Sequence, residues 1–295
     1  MGVGIISRMH FKCRETSSGR VIVSHTRRAG PPATLLLACT PYLLFVGLPI
    51  AALLFAFKGS VLIGQWQSGA LWPAFALTMI TTMISTMLVI AFGTPVAYLL
   101  SRGESPLHAV IDTLVDLPIA LPPVVVGVAL LLAFGRYGLI GRHLHVLGVN
   151  LAFTPAAVVL AQFVVASPYF VRTLRAGFAS IDRRLEDVAF SHGADRMTTF
   201  LRVTLPLSSS SLIAGCVLTW ARALSEFGAT MMFAGNLPGK TQTLSLAVMS
   251  AMDVSLDSAT SISIVSLVLA ALALVAVRML PKLNETFISQ RAKKF

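Results

Sequence analysis

The chain has 295 residues, of which 56% are hydrophobic and only 12% charged, with a formal net charge of +11. Soluble domains carry about 25% charged residues, so the composition excludes an ordinary soluble domain and points to an all-α, multi-pass membrane protein. Its three cysteines, Cys13, Cys39 and Cys216, are far apart and fit no metal-ligand, redox or disulfide spacing, so they read as small membrane-core residues.

Residues 1–32 form a polar, basic stretch with Arg8, Lys12, Arg14, Arg20, Arg27 and Arg28 against one acid, Glu15. The apolar run that follows, residues 33–57, is about 25 residues long, or roughly 37 Å as a helix. A signal-peptide core is shorter, so this run is expected to be a first span that holds the basic tail in the cytoplasm. A second span is expected from about Phe75 to Leu100. Its hydroxyl residues Thr78, Thr81, Thr82, Ser85 and Thr86 recur at helical spacing down one face. Two readings stand: hydroxyls, with Thr78 and Thr82 foremost, that line a pathway for a polar solute, or small residues at a helix interface, where they are enriched in membranes.

A short polar link, Arg102–Asp116, leads to a third expected span at about Leu117–Phe134. It opens Leu117-Pro118-Ile119-Ala120-Leu121-Pro122-Pro123, which cannot be regular helix throughout. A link with Arg136, Arg142, His143 and His145 precedes the fourth span, about Pro155–Val171. The two histidines are two apart and do not share a helix face, which argues against a metal site there.

The most polar block between two long apolar segments is Glu186–Pro206. Just upstream and into it, Ile181, Leu185, Val188, Ala189 and His192 make a single helical stripe, apolar except at its end. Asp182, Arg183, Arg184, Glu186 and Asp187 lie mostly off the stripe, and Gly193 stands where a left-handed helix stop is expected. A short surface helix with one apolar face, held between spans, suits docking into a partner's groove. Pro206 is placed to open a fifth span, about Leu207–Phe227, which carries Arg222 and Glu226 at i and i+4. A mildly polar connection runs to Ser258, and a sixth span covers about Ala259–Leu280. With six spans, 18 of the 23 Lys and Arg residues fall on the side of the termini and the polar block. That bias places both termini in the cytoplasm and makes the positive charge topogenic, with no nucleic-acid role.

The stretch Ala234-Gly235-Asn236-Leu237-Pro238-Gly239-Lys240-Thr241 ends like a P-loop, but Ala234 occupies the first Gly position and no βαβ unit surrounds it. Nor does a Ser/His/Asp set, a carboxylate pair or a metal cluster stand out. The chain is therefore expected to be no enzyme and to hold no cofactor or metal. Arg222 is the cation expected near the outer end of a span; it either attracts an anion at an external gate or neutralises Glu226 in an internal ion pair.

Several of these segments resemble a known family. Asp187-Val188-Ala189, then Gly193, and then Phe200, Val203, Leu205 and Pro206 resemble the EAA loop of ABC importer permeases, with Asp187 for the usual Glu and Val188 for the first Ala. Gly93-Thr94-Pro95 and the Leu-Pro-x-x-Leu-Pro-Pro-x-Val-x-Gly pattern at 117–127 are similar to the core domain of the same permeases. Ala221-Arg222-Ala223-Leu224-Ser225-Glu226-Phe227-Gly228-Ala229-Thr230 and the Ala234–Ala247 stretch resemble the molybdate branch, with Ser225 in place of a Gly. The resemblance runs from about Phe75 to Val277.

It implies a type I permease core over residues 75–280, with five spans and a coupling loop at 172–206 whose docking residues are Leu185, Glu186, Asp187, Val188, Ala189, Gly193 and Pro206. It implies a homodimer in the cytoplasmic membrane with two cytoplasmic ATPase subunits and an extracytoplasmic molybdate-binding protein. The pathway would draw on Arg222, Glu226 and Thr230, with Thr78 and Thr82. The transported anion would be molybdate, with tungstate close to it and sulfate or thiosulfate as the sister-branch alternative. A secondary transporter working without an ATPase would want charges at mid-membrane, and the spans have almost none.

Overall fold

The computed structural model describes residues 33–103 and 105–292, all-helical with no strand among them. The basic tail expected at 1–32 lies outside the described residues, as do Lys293 and Lys294. Two compact units divide the chain, residues 1–51 and 52–295. The first contributes most of α1 (Ala33–Phe55), a long apolar helix that carries Pro41 and Pro49 within it.

In the second unit, α2 (Gly59–Gln67) is a short helix the sequence pattern did not reveal, followed by α3 (Trp72–Arg102). Trp66, Trp72 and Phe75 cluster at their junction with ring centroids 5.7–5.9 Å apart. The chain continues through α4 (Pro106–Ala120), α5 (Pro123–Phe134), α6 (Gly141–Val146) and α7 (Pro155–Ala179). Next come α8 (Arg183–Ser191), α9 (Arg196–Thr199), a π-helical turn (Phe200–Thr204), α10 (Leu205–Leu207) and α11 (Ser209–Leu224). Last are α12 (Gly228–Ala234), α13 (Leu244–Met252) and α14 (Leu256–Ala292).

Among the described residues, four helices are long and apolar enough to cross a membrane, and up to six spans result when each of two bent pairs is counted as one. The bent pairs revise two expectations. The link at 102–116 is largely helix: Ser105 is extended and Pro106 enters at the first turn, where its missing N–H costs nothing. The third span is thus α4 and α5 set at 117° to one another, not one rod from Leu117. The break falls at Leu121–Pro122, both extended, because a residue before proline is driven out of the helical region. The fifth span does not open at Pro206. The helical run Arg196–Leu207 already contains it, and the 74° bend comes at Ser208. Irregular backbone of this kind is tolerated at membrane depth where protein surrounds it.

Packing centres on α7, whose buried residues Phe170, Leu174 and Phe178 join Val89, Ala97 and Leu100 of α3 in one core cluster. Phe170 is fully buried in a slot: a Cβ added at Gly93 of α3 or Gly215 of α11 would lie 2.9 or 3.2 Å from its ring. Burial within lipid gains little transfer energy, so association rests on close van der Waals approach, and small residues provide it. A second cluster joins α5, α7 and α12 through Val126, Leu130, Val158, Val165 and Phe233.

Candidate functional site: the α8 docking loop and the outer gate region

Helix α8 is fixed at both ends by its own sequence. Asp182 is extended and its carboxylate accepts from the Arg184 N–H at 3.0 Å, satisfying one of the helix's free donors. At the far end Gly193 has φ +83. Its N–H donates to Phe190 O at 2.9 Å and the Ala194 N–H to Ala189 O at 3.1 Å, the two bonds of a Schellman stop. His192, the polar end of the apolar stripe, places Nδ1 2.8 Å from Val188 O and so closes the last turn.

The stripe does not all face one way. Ile181 is buried and Ala189 half-buried, while Leu185 and Val188 are 47% and 55% exposed. Asp187 beside them is exposed too, as are Arg183, Arg184 and Phe190, so the exposed part of α8 carries apolar side chains with charges of both signs. Glu186 points the other way. It is buried, and its Oε1 accepts from Arg102 Nη2 at 2.5 Å and from Thr204 Oγ1 at 2.7 Å. Sequence reasoning missed Arg102 and Thr204 as partners of this loop. Pro206 is exposed on α10.

Thr78 and Thr82 are fully buried inside the protomer. Thr78 Oγ1 accepts from the Leu244 N–H at 2.9 Å and Thr82 Oγ1 from Trp220 Nε1 at 3.1 Å. These two hydroxyls of the stripe therefore hold α3 against α13 and α11. Thr230, on α12, is also fully buried, its hydroxyl without a hydrogen-bond partner.

Arg222 and Glu226 do meet. Arg222 Nη2 lies 2.9 Å from Glu226 Oε2, outside hydrogen-bond angles, with side chains 21% and 1% exposed. Glu226 Oε1 accepts from the Ala229 N–H at 2.8 Å, within the first turn of α12. The carboxylate thus both balances the guanidinium and caps a helix, while Arg222, whose Nη1 also donates to Ser225 Oγ at 3.4 Å, stays partly exposed.

The loop 234–241 closes on itself. Thr241 Oγ1 accepts from the Leu237 N–H and donates to Gly235 O, both at 3.1 Å, and Leu237 O takes the N–H groups of Lys240, Thr241 and Gln242. A helix, α12, precedes it, so the strand–loop–helix cradle of a P-loop is not formed. His145 has Arg136 Nε on one ring nitrogen and Asn150 on the other.

Residues 90–285, more than half of the chain, match the family described as binding-protein-dependent transport system inner membrane component. The chain belongs to this family. Among relatives of this inner membrane component, the probable transport system permease protein NifC of Clostridium pasteurianum is 34% identical over 249 residues, 84% of this chain and 87% of that protein. The molybdenum transport system permease protein ModB of Mycobacterium tuberculosis is 43% identical over 204 residues, 69% of this chain and 77% of that protein. A chain from the crystal structure of a bacterial alginate ABC transporter superposes with TM-score 0.67, covering 85% of this chain and 94% of its own at 19% identity. That likeness shows the permease fold of ABC transporters expected from the sequence. The family match takes in α8, its Arg102 and Thr204 partners and the Arg222–Glu226 pair; Thr78 and Thr82 fall outside it.

Proposed function

We propose that the chain is the membrane subunit of an ATP-driven importer that carries molybdate across the cytoplasmic membrane. The observation that carries this reading is the exposed face of α8: Leu185 and Val188 among charged side chains that include Asp187, on a doubly capped helix held between spans. Such a face suits insertion into a cleft of a cytoplasmic ATPase, with Leu185 and Val188 in apolar contact and Asp187 facing a basic side chain. The relatives named molybdenum permeases support molybdate as cargo.

Two protomers form the pathway between them and each takes one ATPase subunit, while a binding protein delivers the anion from outside. The Lys and Arg bias supports cytoplasmic termini and a cytoplasmic α8. A dianion cannot cross hydrocarbon unaided, and the partly exposed Arg222 attracts it at the outer end. ATP draws the ATPase subunits together, which displaces α8 and shifts the spans between outward-open and inward-open states. The nucleotide works through its differential affinity for the two states.

Competition of labelled molybdate with excess sulfate tests the cargo, in cells without their own uptake systems that express the permease with its ATPase and binding protein. Molybdate uptake that resists sulfate is expected. Sulfate that displaces it would move the protein to the sister branch.

A further inference from the structure

One buried carboxylate joins three elements behind the docking face. Glu186 is 7% exposed, whereas Leu185 and Asp187 on either side of it are exposed. Its Oε1 is shared by Arg102, the last residue of α3, and Thr204, the last residue of the π-helical turn that leads to α11. The Arg102 guanidinium lies 5.7 Å over the Tyr98 ring. Tyr98 in turn meets Phe178 of α7 and Phe200 of the π-helical turn with centroids 5.6 and 4.9 Å away. The link therefore stands on an aromatic base that already joins α3, α7 and that turn. The main backbone contacts of α8 itself are with α9 and the π-helical turn, so Arg102 is its side-chain reach to the long span.

A buried ion pair keeps its geometry or loses much of its stabilisation, because separation leaves a desolvated charge alone. The pair therefore moves as a unit and does not slide. π-Helical turns are rare and concentrate at functional sites, and this one ends at the residue that completes the carboxylate's hydrogen bonding.

We propose that Glu186 is the positioning residue through which displacement of α8 reaches the membrane helices, with Arg102 carrying it into α3 and Thr204 into the run toward α11. This rests on α8 being the docking helix of an ATPase-driven importer. It divides the loop into an outward set that receives the stroke and an inward set that delivers it.

The test uses proteoliposomes that hold the permease, its ATPase and its binding protein, with ATP hydrolysed and labelled molybdate accumulated both read from the same vesicles. For E186Q the ATPase stays bound and hydrolysis is kept, while uptake falls about tenfold, within the range that changes along a coupling network produce. The reversed pair R102E/E186R brings the ratio of hydrolysis to uptake back toward the wild-type value. T204V, which removes only the hydroxyl, raises that ratio less than E186Q does. Hydrolysis and uptake falling together, with the ratio unchanged, would overturn the proposal. So would failure of E186Q, T204V and the reversed pair alike to assemble, since the cluster would then serve folding alone. Uptake by wild-type vesicles without ATP would instead overturn the importer reading, and it would show before any substitution is made.

Discussion

The stop of α8 at Gly193 gives a prediction whose size follows from the geometry. At φ +83 a Cβ would meet nothing within 4 Å, so replacement costs backbone strain and no steric clash. The left-handed conformation costs an L-residue about 1–2 kcal/mol. Alanine recovers about 0.4–1 kcal/mol of this, because it has less freedom than glycine to lose on folding. The net cost for G193A is about 1 kcal/mol, which is about a fivefold rise in local opening. G193N should cost little, because asparagine visits this conformation routinely, and G193V should cost most, because it is β-branched. Hydrogen exchange of the α8 amides in nanodiscs reads the opening, and titration with the ATPase reads the docking. The order Val, Ala, Asn, Gly from most to least open is expected in both. Asn behaving like Ala, or no variant changing α8 exchange, would refute the role given to the Schellman stop.

Three further outcomes are expected. T78V should lower thermal stability by about 1–3 kcal/mol, since it leaves the buried Leu244 N–H unsatisfied, and should leave the KM for molybdate unchanged. T81V, whose hydroxyl bonds only its own helix, should cost little by the same melting measurement. R222A should destabilise by about 3 kcal/mol, the lower end for breaking a buried pair given the partial exposure of Arg222. R222A/E226A should recover folding but not transport, so restored uptake in the double variant would remove Arg222 from the gate. Asp195 is the cap of α9 and its carboxyl is held below the usual range by hydrogen bonding from the Thr198 side chain and then its backbone N–H. A lowered folded pKa stabilises above the unfolded value, about 3.9, and that stabilisation is lost as pH falls through the folded value. Exchange of the 195–199 amides, corrected for its intrinsic pH dependence, should rise there in the wild type and stay flatter in D195N.

The features legible in the sequence were those set by local chemistry. Gly193 and the apolar Leu185–Val188 stripe follow from spacing and residue type within one helix. The Pro122–Pro123 break was readable for the same reason. The helix over 106–120 was hidden because its polar first turn and His108 read as a link, although Pro106 marks its start. The reach of Glu186 to Arg102 spans 84 positions and depends on how α3 and α8 cross, which no local pattern records. The hydroxyl stripe on α3 was visible, but its two readings have the same spacing. The placement of Leu244 and Trp220 against Thr78 and Thr82 adds the contacts that spacing does not record.

The most direct test of the account is whether uptake needs the ATPase. Labelled molybdate uptake would be measured in cells that express the permease and binding protein with or without the ATPase subunit. Uptake only with the ATPase, and its loss on D187A, is the predicted result. Uptake that persists without the ATPase would contradict the account.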